Sequence, residues 1–128
     1  MSGLLVDTSV WVEFFRGTPL PRLEEGLREG LVLLAPIVAA ELLSAPLSKV
    51  ERRSLAAFVE DLPLHPTPLS HWQAVGALRA QSAKKGLSLS TPDAHVAQCA
   101  IEAGALLWSR DAVFHKMAAM SALRLFEG

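Results

Sequence analysis

Apolar positions along this chain fall into two kinds of block, and the lengths of the blocks separate strands from helices. The short uninterrupted runs "GLLV", "LVLLA" and "ALLWS" read as buried strands, because a strand covered on both faces has no polar side to present. Longer segments carry apolar residues at helical spacing. Val10, Trp11, Phe14 and Phe15 mark one side of a helix from about Ser9 to Arg16, which "GTPLP" breaks. Leu20, Leu23 and Leu27 form a second helical stripe that Gly30 stops. Pro36 suits the first turn of a helix through "IVAAELLSA", where its missing N–H is not needed.

Downstream, Ser48 with Glu51 and Ser70 with Gln73 predict two capping boxes, each opening a helix, the second of which ends at Gly86. Between them "PLHPTPL" predicts at most a short strand near an edge, because two prolines interrupt it. Thr91 and Pro92 open a helix through "DAHVAQCAIEA" that stops at Gly104, and a short helix around "DAVFHKMAAM" precedes a last strand, "ALRLF". Strands alternating with helices predict an α/β fold: a single domain over residues 1–128, with a mainly parallel sheet covered by helices on both faces. No repeat, low-complexity tract or dividing linker interrupts it.

Composition narrows the functional classes. The formal net charge of −1 over 128 residues excludes binding to nucleic acid chiefly by a broad basic surface, so any phosphate chemistry has to be local and needs metal ions or a small patch. No apolar run reaches the roughly 18 to 20 residues of a membrane span, and no secretory leader pattern is present. The single cysteine, Cys99, excludes an internal disulfide framework and fits buried packing. These features predict a cytoplasmic protein with no membrane partner.

The predicted architecture carries a geometric rule: in open parallel sheets, ligands bind beyond the carboxyl ends of the strands. Asp7 directly follows the first strand. Asp111 follows "ALLWS" with Arg110 between, Asp93 lies in the first turn of the helix before that strand, and Glu41 lies in the helix after "LVLLA". Each acid also has a structural reading. Asp7 is a good helix cap, Asp93 favours the helix dipole, and Asp111 suits a turn. Glu41 is harder to dismiss, because an unpaired carboxylate buried in an apolar helix costs about several kcal/mol and calls for a neutralising partner. Gathered together, three or four carboxylates repel one another unless some are protonated or a cation binds. All-oxygen donors favour Mg²⁺ or Mn²⁺, and such a site suits phosphodiester hydrolysis.

The stretches "VDTSVWVEFFRG", "PIVAAELL" and "STPDAHVAQCAIEAGALLWSRDAVF" resemble, in order and over most of the chain, the motifs of the PIN-domain ribonucleases, particularly the small toxins of VapBC-type toxin–antitoxin pairs. The resemblance implies a five-stranded parallel sheet flanked by helices, and an endoribonuclease that cuts RNA to leave a 5′ phosphate. It implies that Asp7, Glu41, Asp93 and Asp111 form the catalytic acidic cluster holding one or two Mg²⁺ or Mn²⁺ ions, with Thr8 or Ser9 and Ser109 as supporting hydrogen-bonding residues. A homodimer and a cognate antitoxin are the implied partners. One position departs from the pattern: two residues after Asp111, where family members often carry another aspartate, this chain has Val113.

Weaker signals complete the reading. Arg110, beside the site, with Arg16 and Arg79, and the helix-end Lys84 and Lys85, are possible contacts for an RNA backbone. Trp11, Phe14 and Phe15 suit core packing or a partner groove, Trp108 suits the core, and Trp72 suits half-buried packing or a dimer contact. His65, His71, His95 and His115 lack a zinc-motif spacing and are expected in separate polar or surface roles. Two rival functions stand beside the nuclease. One is a binding module on the same fold. The other is a Mg²⁺-dependent phosphoryl-transfer domain with Asp7 as nucleophile, though "DTSV" lacks the second aspartate of haloacid-type phosphatases.

Overall fold

The computed structural model of the chain describes residues 3–127. Its centre is β1 (Leu4–Val6), which pairs in parallel with β2 (Val32–Leu33) and β3 (Leu106–Trp108), in the order β2-β1-β3. Leu4, Leu5 and Val6 are all buried. Successive strand residues point to opposite faces, so the central strand is covered on both. The helix α2 (Pro21–Arg28) packs against β2, and α6 (Thr91–Ala103) packs against β1 and β3.

The sheet is narrower than the five strands implied by the family resemblance. Among the described residues three strands form, and each edge adds one isolated parallel bridge, Leu34 with Leu64 and Leu107 with Leu125. At the first edge Leu34 N–H donates to Pro63 O (2.8 Å) and His65 N–H donates to Leu34 O (3.0 Å). Pro66 and Pro68 then follow with no N–H to continue the ladder. At the other edge Leu107 N–H donates to Arg124 O (3.0 Å) and receives Phe126 N–H on its own carbonyl (2.8 Å).

The remaining helices are α1 (Thr8–Phe15), α3 (Pro36–Leu43), α4 (Lys49–Glu60), α5 (Leu69–Lys84) and α7 (Val113–Ala118). The Ser48 capping box forms in full: Glu51 N–H donates to Ser48 Oγ (3.1 Å) and Ser48 N–H to the Glu51 carboxylate (2.9 Å). The one expected at Ser70 does not form. The helix begins at Leu69 with Pro68 in the capping position, and His71 N–H closes the first turn on Pro68 O (2.9 Å). Gly104 ends α6 at φ 62°, and Ala105 N–H reaches back to Ala100 O (3.0 Å), which turns the chain directly into β3.

Trp11 is fully buried and touches Phe14, Phe15 and Phe58 at ring-centroid separations of 5.5–5.8 Å. Cys99 and Trp108 are buried, as their apolar settings predict. Phe15 is 45% exposed and therefore belongs to the surface as much as to the core. Truncating Leu5, at the middle of the central strand, is expected to lower unfolding free energy by about 3 kcal/mol in urea titrations. Val50→Ala, at a side chain 71% exposed, is expected to change it by less than about 0.5 kcal/mol.

Candidate active site

The register of the parallel pairs fixes what meets at the carboxyl edge. Val6 lies opposite Trp108, and Asp7 N–H donates to Trp108 O (2.9 Å), so Asp7 and Ser109 leave the sheet side by side. Asp7 Oδ2 accepts hydrogen bonds from Ser109 Oγ (2.7 Å) and Ser9 Oγ (3.1 Å). As the residue before α1, Asp7 has extended backbone and makes no side-chain cap bond. Its carboxylate turns to the two serines instead, which decides against the capping reading for this side chain.

Glu41 is drawn to the same edge by Thr8, whose Oγ1 donates to Glu41 Oε1 (2.8 Å). The apolar sequence around Glu41 predicts burial, and the structure corrects this: Glu41 is exposed, next to an exposed Ala40. The apolar burden of α3 is carried by Val38 and Leu42 on its other side. Exposed to solvent and hydrogen-bonded by Thr8, the Glu41 carboxylate needs no neutralising charge.

Asp93 sits in the first turn of α6, whose cap is Ser90; Asp93 N–H donates to Ser90 Oγ (3.2 Å). Its carboxyl is held above the usual aspartate range, first by partial burial and then by the charges of Asp111 and Asp7, against an opposing hydrogen bond from Ser90. Asp93 therefore shares its electrostatic surroundings with Asp7 and Asp111. Asp111 is exposed, its N–H donates to Ser109 Oγ (3.0 Å), and its Oδ1 accepts Val113 N–H (3.0 Å). Val113, the departure from the family pattern, packs its partly buried side chain against the core at the start of α7. The acids surround the edge without crowding: among the described residues, no three of them bring ligand oxygens within 4.8 Å of one another.

The basic residues have specific partners. The Arg110 guanidinium pairs with Glu13 through Nε (2.7 Å) and Nη2 (3.2 Å) and lies 5.9 Å from the Trp108 ring centroid. Arg110 N–H also donates to Ser9 Oγ (3.0 Å). Glu13 was not singled out from sequence, although it lies four residues after Ser9 on the same face of α1 and completes this clamp. Arg79 Nε donates to Leu89 O (2.9 Å), just ahead of the Ser90 cap. Arg16 is exposed at an open apolar groove of about 630 Å³ that Phe15, Leu47, Val50 and Leu55 also line. Lys85 Nζ lies 3.5 Å from Met120 O, and Lys84 is exposed.

Three of the four histidines depart from the separate roles expected of them. His65, His71 and His95 are buried; His65 and His71 share one carboxylate, and His95 joins them through His71. Glu102 Oε1 lies 2.8 Å from His65 Nε2 and 2.9 Å from His71 Nδ1, and His71 Nε2 lies 2.7 Å from His95 Nδ1. The Trp72 ring stacks on His95 at 4.7 Å. Burial, with smaller contributions from His71 and His65, lowers His95 to about 4. For Glu102 desolvation is the largest single influence and pushes its pKa up, but hydrogen bonds from His65, Gln98 and His71 together outweigh it and bring it down to about 2. One signal was available in the sequence: His95, Cys99 and Glu102 repeat at helical spacing along one face of α6.

Comparison with known proteins adds the family. No curated protein matches the chain. A solved structure described as VapBC2 from Rickettsia felis bound to a DNA fragment from the promoter is 19% identical, covers 96% of each chain, and superposes with a TM-score of 0.77. A DNA-bound VapBC from Salmonella typhimurium is also 19% identical, covers 98% of each chain, and gives a TM-score of 0.74. VapBC-5 from Mycobacterium tuberculosis, described as a member of the VapBC family of toxin–antitoxin systems, is 21% identical, covers 99% of this chain and 98% of its own, and gives 0.67. At these identities the likeness is one of fold. The family model described as the PIN domain matches residues 4–120, and with the α/β fold on the page the chain belongs to the PIN-domain family.

Proposed function

We propose that the chain is a divalent-metal-dependent endoribonuclease, the toxin of a toxin–antitoxin pair, and that Asp7, Glu41, Asp93 and Asp111 form its catalytic site. The observation that carries this reading is the PIN-domain match over residues 4–120 together with the strand register that sets Asp7 beside Ser109 at the sheet edge where such folds place their ligands; the raised Asp93 carboxyl, acted on by burial and by Asp111 and Asp7, agrees with it. The donor set is all oxygen, which fits Mg²⁺ or Mn²⁺. Asp7, Asp93 and Asp111 would hold the first ion. Glu41 would assist a second or orient water, with Val113 leaving the second ion without a further carboxylate. A bound divalent ion supplies Lewis-acid activation of water and offsets charge on the attacked phosphate.

The chain's own residues organise that chemistry. Ser9 and Ser109 fix the Asp7 carboxylate, so its remaining lone pairs face the site in one orientation. Ser90 anchors the turn that presents Asp93. Thr8 holds Glu41 to the start of α1. The Glu13–Arg110 clamp ties the loop after β3 to α1, and Arg110, with Arg16 and Arg79, is placed among the possible contacts to the RNA backbone. The family resemblance and the toxin–antitoxin complexes of the same fold support a cognate antitoxin, a homodimer and a cytoplasmic setting. The apolar groove beside Phe15 and Val50 is the surface we assign to the antitoxin.

Purified protein incubated with a mixed RNA pool is expected to cleave it with Mg²⁺ or Mn²⁺ and not with EDTA. Asp7→Asn and Asp93→Asn are each expected to lower the rate by about 100-fold or more while circular dichroism stays unchanged. Full activity in both folded variants would refute the assignment, and absence of cleavage by the wild type with either metal would favour a binding module.

A second expectation concerns stability in chelator. Asp93 has a raised folded-state pKa, so its contribution is favourable at low pH and is lost as pH rises through that pKa. Asp93→Asn removes the ionised form and is expected to raise the melting temperature by a few degrees at pH 7 in EDTA, an advantage that shrinks as the pH is lowered below the usual aspartate range.

A further inference from the structure

We propose that His65, His71 and Cys99 form a buried site for one zinc ion, with the Glu102 carboxylate completing its charge balance. One nitrogen from each histidine and the Cys99 sulfur lie within 4.8 Å of one another. Tetrahedral zinc with two nitrogens and a thiolate needs donor separations of about 3.3–3.6 Å, so side-chain shifts of roughly an ångström close the site. With His71 Nδ1 kept on Glu102, zinc on His71 Nε2 would take the place of its 2.7 Å contact to His95 Nδ1.

The donors come from three segments that the fold already clamps together. His65 follows the Leu34–Leu64 bridge, His71 is in the first turn of α5, and Cys99 is in the middle of α6, the helix packed most extensively on α5. Cys99 is fully buried, and its sulfur has only long contacts, 3.7 and 4.0 Å to the His95 ring nitrogens. It is thus held by no short hydrogen bond that a metal would have to displace. Zinc binding would release the thiol proton to solvent and form a sulfur–zinc bond.

Charge and orientation favour the same ion. A zinc-bound Cys99 thiolate with a carboxylate beside the two histidines matches one divalent cation in a setting where unbalanced charge is costly. Glu102 Oε1 lies within hydrogen-bond distance of both the His65 and His71 rings, and a carboxylate that orients ligand histidines is a recurring feature of zinc sites. Sulfur and imidazole donors select a borderline cation over Mg²⁺, so this site and the acidic edge would take different metals.

The test uses the full chain, stripped with chelator and titrated with Co²⁺ as a spectroscopic stand-in for Zn²⁺. The expected result is a near-ultraviolet thiolate-to-cobalt charge-transfer band that saturates at one equivalent and is displaced by Zn²⁺. Cys99→Ser is expected to abolish the band, His65→Gln to weaken cobalt binding by tenfold or more, and Asp7→Asn to leave the band unchanged. An all-oxygen site gives no such band, so the outcome does not depend on whether the nuclease reading holds. Absence of the band in the wild type would overturn the proposal whatever the variants do. A band surviving in Cys99→Ser would overturn it as well.

Discussion

The site depends on the parallel pairing of β1 with β3. Because Val6 lies opposite Trp108 and Asp7 N–H is held by Trp108 O, the residues that follow the two strands emerge next to each other although about a hundred positions separate them in the chain. A slip of one residue would send Leu5 and Val6 to the wrong faces and carry Asp7 away from Ser109. Burial of all three β1 side chains penalises any such slip. Core packing thereby sets the position of a carboxylate that the core itself does not need.

From that edge the other acids are recruited by short local links. Thr8 reaches Glu41 from α3, Ser109 holds both Asp7 and the Asp111 N–H, and the α6 cap carries Asp93 into the same field. Each link is a hydroxyl. A serine or threonine can orient a carboxylate without neutralising it, which keeps the edge negative. A lysine or arginine in the same positions would satisfy the acids and remove their pull on a cation. Arg110, a guanidinium at this edge, pairs with Glu13.

How much of this is legible in the sequence follows from the range of each interaction. Helices with an apolar stripe and a local stop, such as the one ending at Gly104, can be read directly, because their signals lie within a few residues. The rule that ligands gather at strand ends points to Asp7, Glu41, Asp93 and Asp111, the acids proposed above as the site. Burial of Glu41 was misread, since an apolar helix can still turn one side to solvent at the edge of the sheet. The Ser70 capping box failed for a related reason: His71 is committed to Glu102 on α6, and the helix starts two residues earlier with His71 inside its first turn. The outer strands shrank to single bridges because prolines remove the donors on one side, a limit the sequence showed but the family pattern outweighed.

The electrostatics of the acidic edge and of the buried histidines resolve the same difficulty in opposite ways. At the edge, Asp93 keeps a raised carboxyl in the company of two other acids, so the folded chain carries an unfavourable interaction that core packing must offset. Around Glu102, by contrast, the charge is surrounded by ring nitrogens and an amide, and the carboxyl falls to about 2. A group tuned only for stability resembles the second arrangement. On the reading proposed above, a hard divalent cation would relieve the first arrangement, because its charge and oxygen preference match the acids. Because the net charge of the whole chain is only −1, a cation held by these acids would be a local attraction at the edge rather than part of a broad basic surface.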